Sequence, residues 1–115
     1  MTSQRLDSNT RLSQSTVANG FVFTAGVVPD DVTQDITGQT KQVLAKIEDL
    51  LRRAGSSKTK LVSATIYLPA IADLAAMNVV WDAWLASGCA PSRACVIAGL
   101  VNPAWRVEIA VTATV

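Results

Sequence analysis

Two charged residues stand where apolar strands would carry none. Pro91-Ser92-Arg93-Ala94-Cys95-Val96-Ile97-Ala98 reads as an apolar β-strand opened by an arginine, and Arg106-Val107-Glu108-Ile109 places a carboxylate inside another. A guanidinium presents a planar fork of donors that matches a carboxylate, a geometry lysine lacks. A carboxylate beside that fork could activate water or shuttle a proton, an effect of about 10²–10⁴-fold where it operates. On adjacent buried strands, Arg93 and Glu108 would form a pocket for a small carboxylate with an acid/base group next to it. The alternative is that the two simply pair with each other across an interface.

Three more positions join the candidates. Cys95 follows Arg93 by two residues and shares its face; a strand cysteine commonly fills a small core space, and its backbone amide is its other possible contribution. Gly26 closes the apolar run Phe21 to Gly26, where a missing Cβ admits a ligand to the backbone, or where the strand merely bends. Asn78 interrupts an apolar helix stripe between Met77 and Val79, unless it is just an exposed helix residue. Trp81 and Trp84 read as core, and Lys41, Lys46, Arg52 and Arg53 as a solvated helix face.

Composition narrows the chemistry further. The 115 residues suffice for one domain, 1–115, and are too few for two. There is no histidine, so neither Ser-His-Asp nor Cys-His catalysis is available. Two cysteines without histidine cannot complete a four-ligand zinc site or a disulfide framework. Net charge is +1 with no basic cluster, which argues against nucleic acid. No apolar run reaches the ~18 residues of a membrane span, and the polar start from Met1 lacks the apolar heart of a signal peptide. The expectation is a soluble cytoplasmic protein that binds no membrane.

The elements that must position these residues follow from patterning. Asn19-Gly20 between Ser13–Ala18 and Phe21–Val28 is a hairpin signal. Ile36, Val43, Leu44, Ile47, Leu50 and Leu51 recur at helical spacing, with Gly55 as the stop. Leu61–Leu68 is a strand ended by Pro69, and a second helix spans about Asp73 to Ala86. Strands at about 93–98 and 106–114 complete a β-β-α-β-α-β-β order, an α+β two-layer domain with both helices on one face of the sheet. In the last strand Val107, Ile109, Val111 and Ala113 suit the core, while Glu108, Ala110 and Thr112 point away. With 50% hydrophobic and 17% charged residues, that second face carries too little charge for water, so it is expected to be covered in an oligomer.

At these residues the chain resembles the RidA/YjgF family of reactive-intermediate deaminases, and within it the YoaB-like branch. Pro91-Ser92-Arg93-Ala94-Cys95-Val96, Gly99-Leu100 and Val107-Glu108-Ile109 carry the resemblance. Thr24-Ala25-Gly26, Ser63–Leu68 and Met77–Trp84 support it. The resemblance implies a chorismate-mutase-like fold with a mixed sheet, assembled as a homotrimer with clefts between subunits. It implies hydrolysis of enamine/imine intermediates such as 2-aminoacrylate to 2-oxo acids and ammonia, without cofactor or metal. Arg93 would hold the carboxylate of a 2-imino or 2-oxo acid and Glu108 would activate water. Gly26 and Cys95 would line the cleft, with Asn78 nearby. The chain departs from deaminase-type members in having no tyrosine before Tyr67, where Arg11-Leu12-Ser13 stands, and Ala25-Gly26 in place of Ser-Gly. A non-catalytic trimer that binds small carboxylates is the second expectation. A ribonuclease, as some relatives are labelled, is opposed by the charge and the missing histidine.

Overall fold

Asn19 and Gly20 both adopt positive φ, 53° and 82°, the tight turn that the dipeptide favours. In the computed structural model, which describes residues 3–115, this turn joins β2 (Ser13–Ala18) to β3 (Phe21–Thr24). Met1 and Thr2, at the head of the polar start, lie outside the described residues. The order continues with α1 (Ile36–Arg53), β4 (Leu61–Leu68), α2 (Leu74–Trp84), β5 (Ser92–Ile97) and β6 (Glu108–Thr114). One strand precedes all of these. β1 (Gln4–Ser8) pairs antiparallel with β2 and was not expected from the sequence.

The six strands lie in the order β1-β2-β3-β6-β4-β5. All neighbours are antiparallel except β4 and β5, so the sheet is mixed. Both helices cover one face. Val43, Leu44, Ile47 and Leu51 of α1 and Met77 and Trp81 of α2 bury against Val22, Ala64, Ile66, Ile109, Val111 and Ala113. The fold is therefore α+β with two helices on one side of a mixed sheet.

The helix ends follow local chemistry. Asp35 caps α1 by accepting from the Gly38 amide at 2.8 Å. At the other end the amides of Gly55 and Ser56 return to the carbonyls of Arg52 and Leu51, at 3.1 and 2.8 Å, so Gly55 stops the helix as expected. The second helix is shorter than its pattern suggests. A 3₁₀ turn occupies Ile71–Asp73, and the α-helix starts at Leu74 and ends at Trp84. Trp81 is core, but Trp84 is half-exposed and donates to Glu48 at 2.9 Å. The sixth strand also starts late. Arg106 sits before it, its guanidinium on the buried Asp73 at 2.8 and 3.2 Å.

Candidate functional site

Gly26 and Glu108 meet because β3 does not run straight on. Phe23 pairs with Thr112, yet Val27 bridges Ile109, so four steps on one strand oppose three on the other. That extra residue is a β-bulge, which bends the chain and re-aims the side chains beyond it. At the bulge the Glu108 carboxylate leans across the Gly26 backbone, and a Cβ on Gly26 would collide with Oε2 of Glu108. The bend that was the second sequence reading of Gly26 is thus present, and the missing Cβ also makes room for the Glu108 side chain.

Glu108 is also held from its N-terminal side. The Arg106 amide donates to Oε1 of the fully buried Gln39 at 2.7 Å, and the Gln39 amide group donates to the Ala104 and Gln34 carbonyls at 3.1 Å. With the Arg106–Asp73 pair, this fixes the segment that delivers Glu108 to the sheet. Gln39 is an inward-facing amide within an amphipathic helix, and that polar residue on an apolar face was the available signal.

A second cluster lies on β5. Nη1 of Arg93 donates to Oδ1 of Asn78 at 2.9 Å, and the guanidinium sits 5.7 Å from the Trp81 ring centroid. Such cation–π contact contributes about 0.5–1 kcal/mol at an exposed site. Asn78 is thus tied to Arg93, not simply solvated. Among the described residues Arg93 forms no ion pair, so most of its donor fork is free. Cys95 follows on the same face, since Arg93 and Cys95 register with the core residues Ala64 and Ile66.

The two clusters do not meet within one chain. Arg93 and Glu108 were expected on adjacent buried strands, and the structure corrects both terms. β4 lies between β5 and β6, and every residue of β5 is exposed at the sheet edge. Glu108 registers with Tyr67 and Arg93 with Ala64, three residues apart along β4 and one strand to either side of it. At ~3.3 Å per residue and ~4.8 Å per strand, their backbones stand roughly 14 Å apart. Their faces differ too. Arg93 points to the helices, whereas Glu108 alternates with the buried Val107 and Ile109 and leaves by the other side.

Beside Glu108 and Gly26 opens a cavity of about 690 Å³, between the start of β2, the bulged segment and the flank of α1. Leu12, Leu50 and Trp105 line it, as do Asp7, Lys46 and Arg53, none of which the sequence had marked as site residues. Two of these cations are not the free solvated face expected of α1. Arg53 grips Asp7 through both nitrogens at 2.8 and 2.7 Å, and Lys46 holds Asp30 at 2.9 Å and the Val28 carbonyl at 2.8 Å. The Arg53 hydrogen bond holds the Asp7 carboxyl below its ordinary range, and Asp7 in turn raises the Arg53 guanidinium. No group of three or more His, Cys, Asp or Glu side chains suited to a metal ion occurs among the described residues.

Residues 2–115 match the family model described as endoribonuclease L-PSP. The chain belongs to this family. It is similar to the RutC family protein YoaB of Escherichia coli strain K12, 42% identical over 115 residues and covering 100% of both chains. A RutC family protein of Haemophilus ducreyi is 41% identical over 111 residues, 96% of this chain and 95% of its own. Among solved structures, a YjgF family protein from Neisseria meningitidis superposes with a TM-score of 0.96 at 44% identity, covering 99% of this chain and 95% of that one. The RidA/YjgF resemblance read from the Arg93 and Glu108 tracts is therefore correct as to family. No helix among the described residues is long and apolar enough to cross a membrane.

Proposed function

We propose that this L-PSP family member hydrolyses small 2-imino acids to 2-oxo acids and ammonia in a cleft shared between copies of the chain. The observation that carries the reading is the separation of the two half-sites. Arg93 offers an unpaired fork at an exposed sheet edge, and Glu108 offers an unpaired carboxylate on the opposite face beside a cavity. Neither has an ion-pair partner among the described residues, and a second copy would bring one to the other. The exposed β5 edge and the nearly uncharged second face, with Phe23 and Val96 exposed, fit a closed cytoplasmic homotrimer as that assembly.

In this cleft Arg93 of one copy holds the substrate carboxylate, with Asn78 fixing the plane of its fork. The Cys95 backbone continues along the same strand and the Gly26 backbone faces it from the other copy. Glu108 accepts a proton from water as its oxygen bonds to the imine carbon, giving a carbinolamine. Glu108 returns that proton to nitrogen, then takes the hydroxyl proton as the C=O forms and the C–N bond breaks, and passes it to the departing ammonia. The chemistry needs no cofactor.

One observation favours a second reading, a small-carboxylate-binding protein without turnover. The cavity next to Glu108 is lined there by Leu12 and Ala25, which bring carbon and no hydroxyl group to the carboxylate. The ribonuclease named in the family description is the weakest reading. Net charge is +1, there is no histidine, and Lys46 and Arg53 are each engaged by a carboxylate and so offer no phosphate track.

The test is direct. An amino-acid oxidase generates the imine, semicarbazide traps it, and the protein is added in wild-type and Arg93→Ala forms. Loss of trapped imine with the wild type alone supports the deaminase. No loss with several imines favours the binding protein, and equal loss with both forms places the site elsewhere.

A further inference from the structure

The cavity beside Glu108 is far larger than the reaction centre needs. A pocket of about 690 Å³ is of the size that holds a whole small ligand. An imine with only a methyl side chain would cover little of its wall. Its wall also has a definite chemistry. Leu12, Ala25, Val28, Ala45, Leu50 and Trp105 contribute carbon surface from four separate segments.

Apart from Glu108 at the reaction centre, the charged side chains at its border are engaged in ion pairs. Arg53 is bound to Asp7 and lies 3.5 Å from Asp49, while Lys46 is bound to Asp30. A substrate side chain carrying a charge would have to break one of these pairs to gain a partner. A polar side chain would exchange water for a mostly carbon wall with Gln14 and the Trp105 indole as its neutral hydrogen-bonding side chains, a loss on transfer. An aliphatic or aromatic side chain gains from the same wall in proportion to the area it buries.

We propose that this cavity is the side-chain subsite of the cleft and that it selects 2-imino acids with apolar side chains of leucine size or larger. The proposal rests on the deaminase reading for its substrate, and on Glu108 and Gly26 for its position. With the carbon bearing the imine held at Glu108, the substituent on that carbon has the cavity next to it. Leu12, Ala45 and Trp105 are then the specificity-determining residues. A methylene in such a pocket is worth about 10–200-fold in discrimination, and an incompletely enclosed one falls at the low end.

Two measurements separate this proposal from the reading beneath it. The first compares kcat/KM for the imines of leucine and of alanine, in the wild type and in Ala45→Phe, which fills the cavity from an exposed helix position away from the core. The expected result is a leucine-to-alanine ratio of ten or more that falls at least tenfold in the variant. Ala45→Leu serves if the larger side chain perturbs the fold. The second is calorimetry with the unreactive products 4-methyl-2-oxopentanoate and 2-oxopropanoate. The larger acid is expected to bind at least tenfold tighter, and Ala45→Phe to erase the difference. If neither imine is turned over but the binding preference is present, the deaminase reading fails and the subsite stands. Equal affinities, a preference for the smaller acid, no binding of either, or a preference untouched by Ala45→Phe would overturn the subsite.

Discussion

Asn78 accepts a hydrogen bond from Nη1 of Arg93 at 2.9 Å, while Trp81, one helical turn later, lies under the same guanidinium. A helix residue and an edge strand residue thus fix the plane of an arginine that has no carboxylate partner among the described residues. On the proposed function Asn78 would act through Arg93 as a positioning residue. Asn78→Ala should raise the Kd for a 2-oxo acid, and the KM for an imine, by about tenfold, the loss of roughly one charge-assisted bond. Asn78→Asp should tighten the arginine but repel the bound carboxylate, so KM stays high. A change confined to kcat in either variant would contradict the assignment.

Gly26→Ala places a methyl group on the Glu108 carboxylate. The carboxylate must move, so kcat should fall by at least tenfold while affinity for a 2-oxo acid, set by Arg93, changes little. Steady-state kinetics beside calorimetry read the split. Unchanged kcat would mean that the position of Glu108 over Gly26 has no part in turnover.

Because Arg93 and Glu108 leave opposite faces, mixing two inactive variants should restore activity. Co-assembled Arg93→Ala and Glu108→Ala chains place both intact groups at about a quarter of head-to-tail interfaces. Activity after co-refolding should approach that fraction of the wild type. None at all would show that each site draws both groups from one chain.

Gln39→Leu removes the amide that ties Arg106, Ala104 and Gln34 together and strands their buried backbone groups. The cost should be about 2–4 kcal/mol, seen as a lower urea midpoint with little change in slope.

Asp7 and Arg53 supply a pH test. The carboxyl is held below its ordinary value of 3.8, first by the Arg53 hydrogen bond. A group depressed in the folded state stabilises fully above its unfolded value and loses that contribution as pH falls through its folded one. The stability gap between wild type and Asp7→Asn should therefore be constant near neutrality and close below pH 3.8. The pair is exposed, so the gap itself should be small.

How much of this was legible depended on how far each signal reached along the chain. The Asn19-Gly20 turn, α1 with its Gly55 stop, and the core face of β6 are set by neighbours within a few residues, and all stand as expected. β1 escaped because Gln4-Arg5-Leu6-Asp7-Ser8 has no apolar alternation, and it is held instead by pairing with β2 and by the distant Arg53. Arg93, Glu108, Gly26, Cys95 and Asn78 could be singled out as residues unexplained by packing. Their arrangement could not be read, because β6 inserts between β3 and β4, and only that register shows which face each side chain takes. Leu12, Leu50 and Trp105 were missed because an apolar residue lining a cavity looks, in sequence, like one filling a core.

On the proposed function, the opposite-face placement of Arg93 and Glu108 would also tie catalysis to dilution. A solitary chain would be inert however well folded, so specific activity should fall steeply once protein concentration drops below the dissociation constant of the assembly. Synthesis rate and copy number would then govern protection against reactive imines more sharply than a linear dose, with a threshold below which the chain accumulates without effect.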